Sequence, residues 1–178
     1  MIITKEIVDR CIGFVAGLKT EKAMGFYDVK GTNFPDNLLV GNENERVVME
    51  LVNAGLPIAA ISEKLGLSTG TVRDRIIRQK KRVELFFEYK AFIDFMKPIL
   101  ELKIDFVVSN TDIATALNRK GIVYVQDLFN VCTLFPPKET YHIRRIWQGE
   151  KKTVVFGEIT KRCYELINSQ IIAKKQPV

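Results

Sequence analysis

The chain is poor in the residues that build metal and catalytic sites. It has one histidine, His142, and three widely separated cysteines, Cys11, Cys132 and Cys163. An odd number of cysteines without CxxC spacing predicts neither a disulfide framework nor a zinc site. The sequence also has no GxGxxG, GxxxxGK or HExxH motif, and no nucleophile is placed beside a base. We therefore expect no metal, no cofactor and no catalytic residue, and hence no enzyme.

Long hydrophobic runs are missing as well. No stretch reaches the roughly 18 consecutive apolar residues that indicate a transmembrane helix, so we expect no membrane span. The N-terminal sequence MIITKEIVDR has mixed charge and lacks the apolar core of a signal peptide. Together with the scarcity of cysteine, these absences predict a cytoplasmic protein.

The chain does contain abundant apolar residues and a concentration of positive charge. Hydrophobic residues make up 47% of the 178 residues, which is enough to bury a core. The formal net charge is +6, and six basic residues but only one acid fall between Arg73 and Arg82. A local cluster of this kind favours an anionic partner such as nucleic acid.

The segment from Leu56 to Arg82 has the pattern of two helices joined by a tight turn. Apolar residues recur at helical spacing from 57 to 65, with proline in the first turn, and Gly66 follows where a left-handed cap is needed. Ser68 is a good N-cap for a second helix, on which Val72 faces inward. A helix over 45–53, capped by Asn42 or Asn44 and closed by Gly55, is expected to support this pair.

Within this segment, the stretch ISEKLGLSTGTVRDRI resembles the helix-turn-helix of bacterial response-regulator effector domains and of sigma-factor region 4. Those families follow the pattern apolar–small–x–x–Leu–Gly–apolar–Ser–x–x–Thr–Val. The matching residues are Ile61, Ser62, Leu65, Gly66, Leu67, Ser68, Thr71 and Val72. Ser62 stands where alanine is usual, but it is also small. The resemblance implies that the second helix enters the major groove of DNA.

On this interpretation the second helix supplies the DNA contacts. Thr69, Thr71 and Arg73 are expected to reach base edges, because arginine can pair with guanine through two hydrogen bonds. The residues expected to hold phosphates are Ser68, Arg75, Arg78, Lys80 and Lys81. The alternative for the same charges is a solvated helix face.

The helix is expected to continue beyond the basic cluster. Nothing breaks it until Pro98, so the sequence predicts one helix over 69–97 or two helices that meet near Lys80. Its second half is apolar on most sides and must be buried. One stripe on it consists of Phe86, Tyr89, Ile93 and Met96. We expect this stripe to form a homodimer or to pack against the N-terminal helix predicted over 3–18.

The C-terminal part is expected to form a second helical module. The stretches DIATALNRKGIVYVQDLFNV and FGEITKRCYELINS are similar to the C-terminal domain of the bacterial RNA polymerase alpha subunit. The similarity is carried by Leu117, Ile122, Val125, Asp127, Leu128 and Gly157, the last before a final helix from Glu158. The arginine and asparagine with which that family grips DNA align with Asp112 and Thr115. The resemblance therefore implies the fold without its DNA-binding surface.

We thus predict a mainly α fold: a helix-turn-helix three-helix unit joined by a long apolar helix to a small C-terminal helical domain. The expected divisions are an N-terminal segment over 1–41, the DNA-binding unit over 42–82, the dimerisation helix over 83–102 and the C-terminal module over 103–178. The stretch 100–108 is expected to be an extended link that leads into the module, and 138–147 is expected to be a helix.

The predicted function is a bacterial or phage transcription regulator that binds double-stranded DNA as a homodimer. The first alternative is an interaction protein that docks on RNA polymerase or another DNA-bound complex, with DNA binding secondary. A nonspecific architectural DNA-binding protein is a further alternative.

Overall fold

The structure is a computed structural model that describes residues 1–17, 43–134 and 150–175. This part of the chain is mainly helical, as predicted; it contains no strand, and one antiparallel bridge joins Lys103 to Tyr124. The helices are α1 Lys5–Ala16, α2 Glu43–Asn53, α3 Ile58–Leu65, α4 Thr69–Leu100, α5 Ile104–Val107, α6 Thr111–Asn118, α7 Val125–Leu134 and α8 Glu150–Lys175. In these ranges, no helix combines the length and apolar character needed to cross a bilayer.

Two sequence predictions fall wholly or partly outside the described residues. They concern residues 18–41 of the expected N-terminal segment and the helix expected over 138–147, which includes His142. Of the two candidate caps for α2, Asn42 also lies outside, and Asn44 lies within the helix rather than before it.

Helix α4 is a single continuous helix, so the alternative of two helices that meet near Lys80 is wrong. It also runs past Pro98, which the sequence predicted as its end. A proline removes the hydrogen bond to the carbonyl four residues earlier. That residue is Asp94, which is exposed, so water can hydrate the freed carbonyl. Ile99 and Leu100 are buried, and their burial holds the last turn in the helix.

Two hydrophobic clusters lie against α4. The smaller cluster has Val48 of α2, Ile61 of α3 and Val72 of α4 at its centre, and all three are fully buried. The larger cluster combines α1 with the second half of α4 and with α5 to α8. Its largest fully buried side chains include Phe14, Phe92, Phe129 and Phe156. The first cluster therefore positions the start of α4, and the second anchors its end.

The stripe that predicted a dimer is covered by the chain itself. Phe86, Tyr89 and Met96 are only 6%, 5% and 0% exposed, and Ile93 packs half-buried against the same cluster. Phe14 of α1 meets Tyr89 edge to face, with ring centroids 6.0 Å apart. Packing against the N-terminal helix is thus the arrangement found. Residues 83–102 belong to the larger core and do not form a separate dimerisation helix.

Two details of the C-terminal module differ from the sequence predictions. The extended link expected over 100–108 contains the last residue of α4 and the whole of α5, since Ile104 and Val107 are buried at helical spacing. Gly157 lies inside α8 and does not precede it, because α8 already begins at Glu150. Gly157 is on the exposed side of α8, and the buried stripe continues past it: Val155, Ile159, Cys163 and Ile167.

The start of α6 agrees with the prediction. The side chain of Asn110 accepts hydrogen bonds from the backbone N–H groups of Asp112 and Ile113, both at 3.1 Å. Gly121 follows the helix with φ of 80°, a left-handed conformation that suits glycine.

Candidate nucleic-acid interface

The turn between α3 and α4 is held by local hydrogen bonds. Gly66 has φ of 62° and ψ of 32°, the left-handed geometry predicted from its position after α3. The backbone N–H of Leu67 donates to the carbonyl of Ser62 at 3.0 Å, and the Ser62 hydroxyl donates to the carbonyl of Leu67. Ser62 is therefore more than a small residue, since alanine could not make the second bond. Pro57 lies at the N-cap position of α3, just before the first turn where the sequence placed it.

Ser68 caps α4 as predicted. Its Oγ accepts a hydrogen bond from the backbone N–H of Thr71 at 3.0 Å and lies 2.9 Å from the Thr71 hydroxyl. These contacts fix the first turn of α4 relative to α3. The direction in which α4 presents its outer side chains is therefore set by residues of the turn and by the small cluster beneath it.

The predicted DNA-contacting residues are mostly on the outside of α4. Thr71 and Arg75 are half-buried, and the exposed ones are Ser68, Thr69, Arg73, Arg78, Lys80 and Lys81. At about 100° per residue, Thr69, Arg73 and Lys80 follow one line along the helix. Lys81 and Arg78 lie further around the helix, about 100° and 160° from this line. Val72 marks the inward side and lies about 80° from the line in the other direction.

Arg75 and Arg82 face the protein instead. The Arg75 guanidinium lies 3.4 Å from the carbonyl oxygen of Asn44 in α2. The Nε of Arg82 lies 3.1 Å from the Oε2 of Glu45, and their side chains are only 12% and 2% exposed. The Arg82–Glu45 ion pair joins α2 to α4. The basic cluster between Arg73 and Arg82 then has four exposed cations, namely Arg73, Arg78, Lys80 and Lys81.

The sequence analysis missed one residue on this face. Ile77 is 62% exposed, although its neighbour Ile76 packs against the small cluster. Ile77 lies four residues after Arg73 and three before Lys80, so all three share the outer side of α4. The sequence could have shown this, because Ile76 is four residues after Val72 and lies on the same inward side of the helix, whereas Ile77 is one residue further and lies outside it.

The two positions of α6 that align with the DNA-gripping residues of the alpha-subunit family hold one acid and one neutral side chain. Asp112 and Thr115 are both exposed, and Asp112 lies in the first turn of α6. Nearby, the carboxylate of Glu158 accepts hydrogen bonds from the backbone N–H of Ser109 at 2.9 Å and from its hydroxyl. The backbone N–H of Ser109 is therefore already bonded to a carboxylate and is not available to a phosphate. In addition, the negative charge of Asp112 would repel a phosphate at the N-terminus of α6.

Two of the three cysteines, Cys11 and Cys163, are buried in the described part of the chain. None of Cys11, Cys132 and Cys163 is in a disulfide bond. Burial raises the pKa of Cys11 well above its ordinary value and the pKa of Cys163 to about 12, so both thiols stay protonated at neutral pH. Among the described residues, no group of three or more histidine, cysteine, aspartate or glutamate side chains converges as metal ligands would.

Comparisons with known protein families, with curated proteins and with solved structures give no match for this chain.

Proposed function

We propose that this protein is a cytoplasmic transcription regulator that binds double-stranded DNA, with the first turns of α4 in the major groove. The observation that carries the proposal is the cluster of exposed cations in the first half of α4, directly after a turn that is fixed by local hydrogen bonds. An α-helix is about 10–12 Å across, and the major groove is about 12 Å wide. Cysteines that form no disulfide bond are compatible with a reducing compartment.

The proposed roles follow from position along α4. Thr69 and Arg73 lie in the first two turns, which helix-turn-helix proteins direct at base edges. Arg78, Lys80 and Lys81 lie further along, where α4 leaves the groove and meets the phosphates. Thr71 and Ser68 hydrogen-bond each other, so their contribution is mainly to fix the first turn. Arg75 retains a phosphate role only if it leaves the Asn44 carbonyl.

A homodimer remains part of the proposal, since two recognition helices are the usual way to read two half-sites. The buried stripe on α4 cannot supply its interface. We expect a footprint with two half-sites separated by about one helical turn, or 10 base pairs. Sedimentation of the free protein and of the DNA complex measures the number of chains directly.

The proposal is tested by selecting a preferred site from random DNA with the full chain. Affinities for this site and for unrelated DNA are then measured by fluorescence anisotropy at several salt concentrations. We expect Arg73→Ala to weaken the selected site by about 1–3 kcal/mol and to relax specificity at one position. Lys80→Ala should weaken all sequences alike and lower the slope against salt by about one unit.

Lys97→Ala is a matched control. Lys97 lies on the same helix, about 25 Å along the axis from Lys80, and pairs with Asp94 at 2.9 Å. It should bind DNA as the wild type does. Unchanged DNA binding by the Arg73→Ala/Lys80→Ala double variant would refute the proposal. A selection that yields no preferred sequence would point to an architectural DNA-binding protein.

The second candidate function is docking on RNA polymerase or another DNA-bound complex. It is favoured by the surface around α6, where Asp112 disfavours phosphate and Phe106 is 70% exposed. A pull-down with purified polymerase beside a gel shift on random DNA separates the two candidates. Retention of polymerase without a salt-dependent shift would replace the first proposal by the second.

A further inference from the structure

Ile77 is the unexplained residue of the basic face. It is 62% exposed, and it does not belong to either hydrophobic cluster of the described residues. The side chains before and after it on the same side of α4 are Arg73 and Lys80. A β-branched residue is not a good choice for an exposed helix position, because it loses side-chain freedom there. The same stiffness makes it a well-defined apolar knob on an otherwise cationic surface.

We propose that Ile77 recognises thymine, by contacting its 5-methyl group in the major groove. The inference rests on the proposed function, because it takes α4 to be the recognition helix. It adds a specificity determinant that charge and hydrogen bonding alone do not supply.

The position of Ile77 on α4 suits this role. It follows Arg73 by four residues, which places it on the same line and about 6 Å further along the helix axis. Base pairs are stacked about 3.4 Å apart. Ile77 therefore addresses a base roughly two pairs away from the one that Arg73 contacts.

The chemical groups in the major groove of DNA indicate which base Ile77 can contact. Each base edge in the major groove presents hydrogen-bond donors and acceptors, and thymine adds the C5-methyl group. An isoleucine side chain cannot bond the polar atoms, but it can remove this methyl group from water. The cations Arg73, Lys80 and Lys81 flank Ile77 and would hold the backbone on either side of the contact.

Deoxyuridine is the test probe because it differs from thymidine only by the missing methyl group. Each thymine of the selected site is replaced singly by deoxyuridine, and the affinity is measured with the wild type and with Ile77→Ala. We expect one replacement to weaken wild-type binding about threefold to fivefold, as loss of one buried methyl group implies. This thymine should lie roughly two base pairs from the base affected by Arg73→Ala. The Ile77→Ala variant should not distinguish the two bases at that position.

Phe87→Ala is the matched control, since Phe87 is a 56% exposed apolar residue on α4 beyond the basic cluster. It should keep the wild-type response to deoxyuridine. Circular dichroism should show both variants folded, because both side chains are exposed.

The outcomes separate this inference from the proposed function. Specific binding that is insensitive to every deoxyuridine, or a selected site without thymine at the expected position, overturns the role of Ile77 and leaves the regulator intact. A methyl response that persists in Ile77→Ala also overturns it, because another residue then contacts the methyl group. Absence of any DNA binding overturns both.

Discussion

The Arg82–Glu45 ion pair allows a test that separates structural charges from DNA-contacting charges. Arg82 belongs to the basic cluster by sequence, yet its side chain is only 12% exposed and its partner carboxylate is buried. Replacing Arg82 with alanine leaves the Glu45 charge in the protein interior without this guanidinium. Loss of one member of a buried pair typically costs about 3–5 kcal/mol. Since whole domains are stable by only about 5–15 kcal/mol, this is a large fraction.

The assay is urea denaturation followed by circular dichroism at 222 nm. We expect Arg82→Ala to lower the free energy of unfolding by about 3–5 kcal/mol, whereas Lys81→Ala should change it by less than about 0.5 kcal/mol. The double variant Glu45→Leu/Arg82→Met removes both charges and should recover most of the loss. It should also bind DNA with the wild-type salt slope, while Lys81→Ala lowers the slope by about one unit. Equal stability of Arg82→Ala and Lys81→Ala, or a reduced slope in the folded double variant, would refute the assignment.

Two further predictions concern the turn and the larger core. Gly66→Ala should cost about 1–2 kcal/mol in urea denaturation. No atom lies within 4 Å of the added Cβ, so the penalty arises only from the left-handed backbone; an unchanged midpoint would contradict this. Burial raises the pKa of the Cys163 thiol to about 12. In the unfolded chain the same thiol has a pKa of about 8.5. The folded state is therefore favoured in full below about pH 8.5, and this contribution to stability is lost as the pH rises toward 12. The free energy of unfolding should therefore fall less steeply between pH 9 and 11 in Cys163→Ala than in the wild type. Equal slopes for the two proteins would contradict the role of the Cys163 thiol.

Structural features that depend only on residues adjacent in the sequence could be predicted. The end of α3 at Gly66 and the start of α4 after Ser68 are local, because a left-handed cap and a side-chain N-cap each involve only a few consecutive residues. The N-cap at Asn110 is local in the same sense. The DNA-binding role of α4 stays a prediction, although the exposure of most of its predicted residues is compatible with it.

The sequence predicted that the second half of α4 is buried, but it could not decide between a partner chain and the same chain, because the helix contacts two cores on different sides. Val72 and Gln79 are buried on one side, whereas Leu85, Phe92 and Met96 are buried on another. Gln79 and Leu85 are six residues apart, which corresponds to a rotation of about 600° along the helix. This is about 120° less than two full turns, so the buried side shifts by roughly 120°. A pattern that changes face in this way looks apolar on most sides. It resembles the pattern of a helix that needs a partner chain, which is why dimerisation was a reasonable but incorrect explanation of the Phe86 stripe.

The sequence alone also does not show which basic residues of the candidate interface are exposed. Lys81 and Arg82 are adjacent and alike in sequence, and helical periodicity places them only about 100° apart. What separates them is Glu45, which α2 brings to the inner side of α4 from a distant part of the chain. Because buried carboxylates require a partner, the position of Glu45 determines which basic residue is turned inward. The number of charges near a recognition helix is therefore only an upper limit on its phosphate contacts, until each one is checked for an acid beneath it.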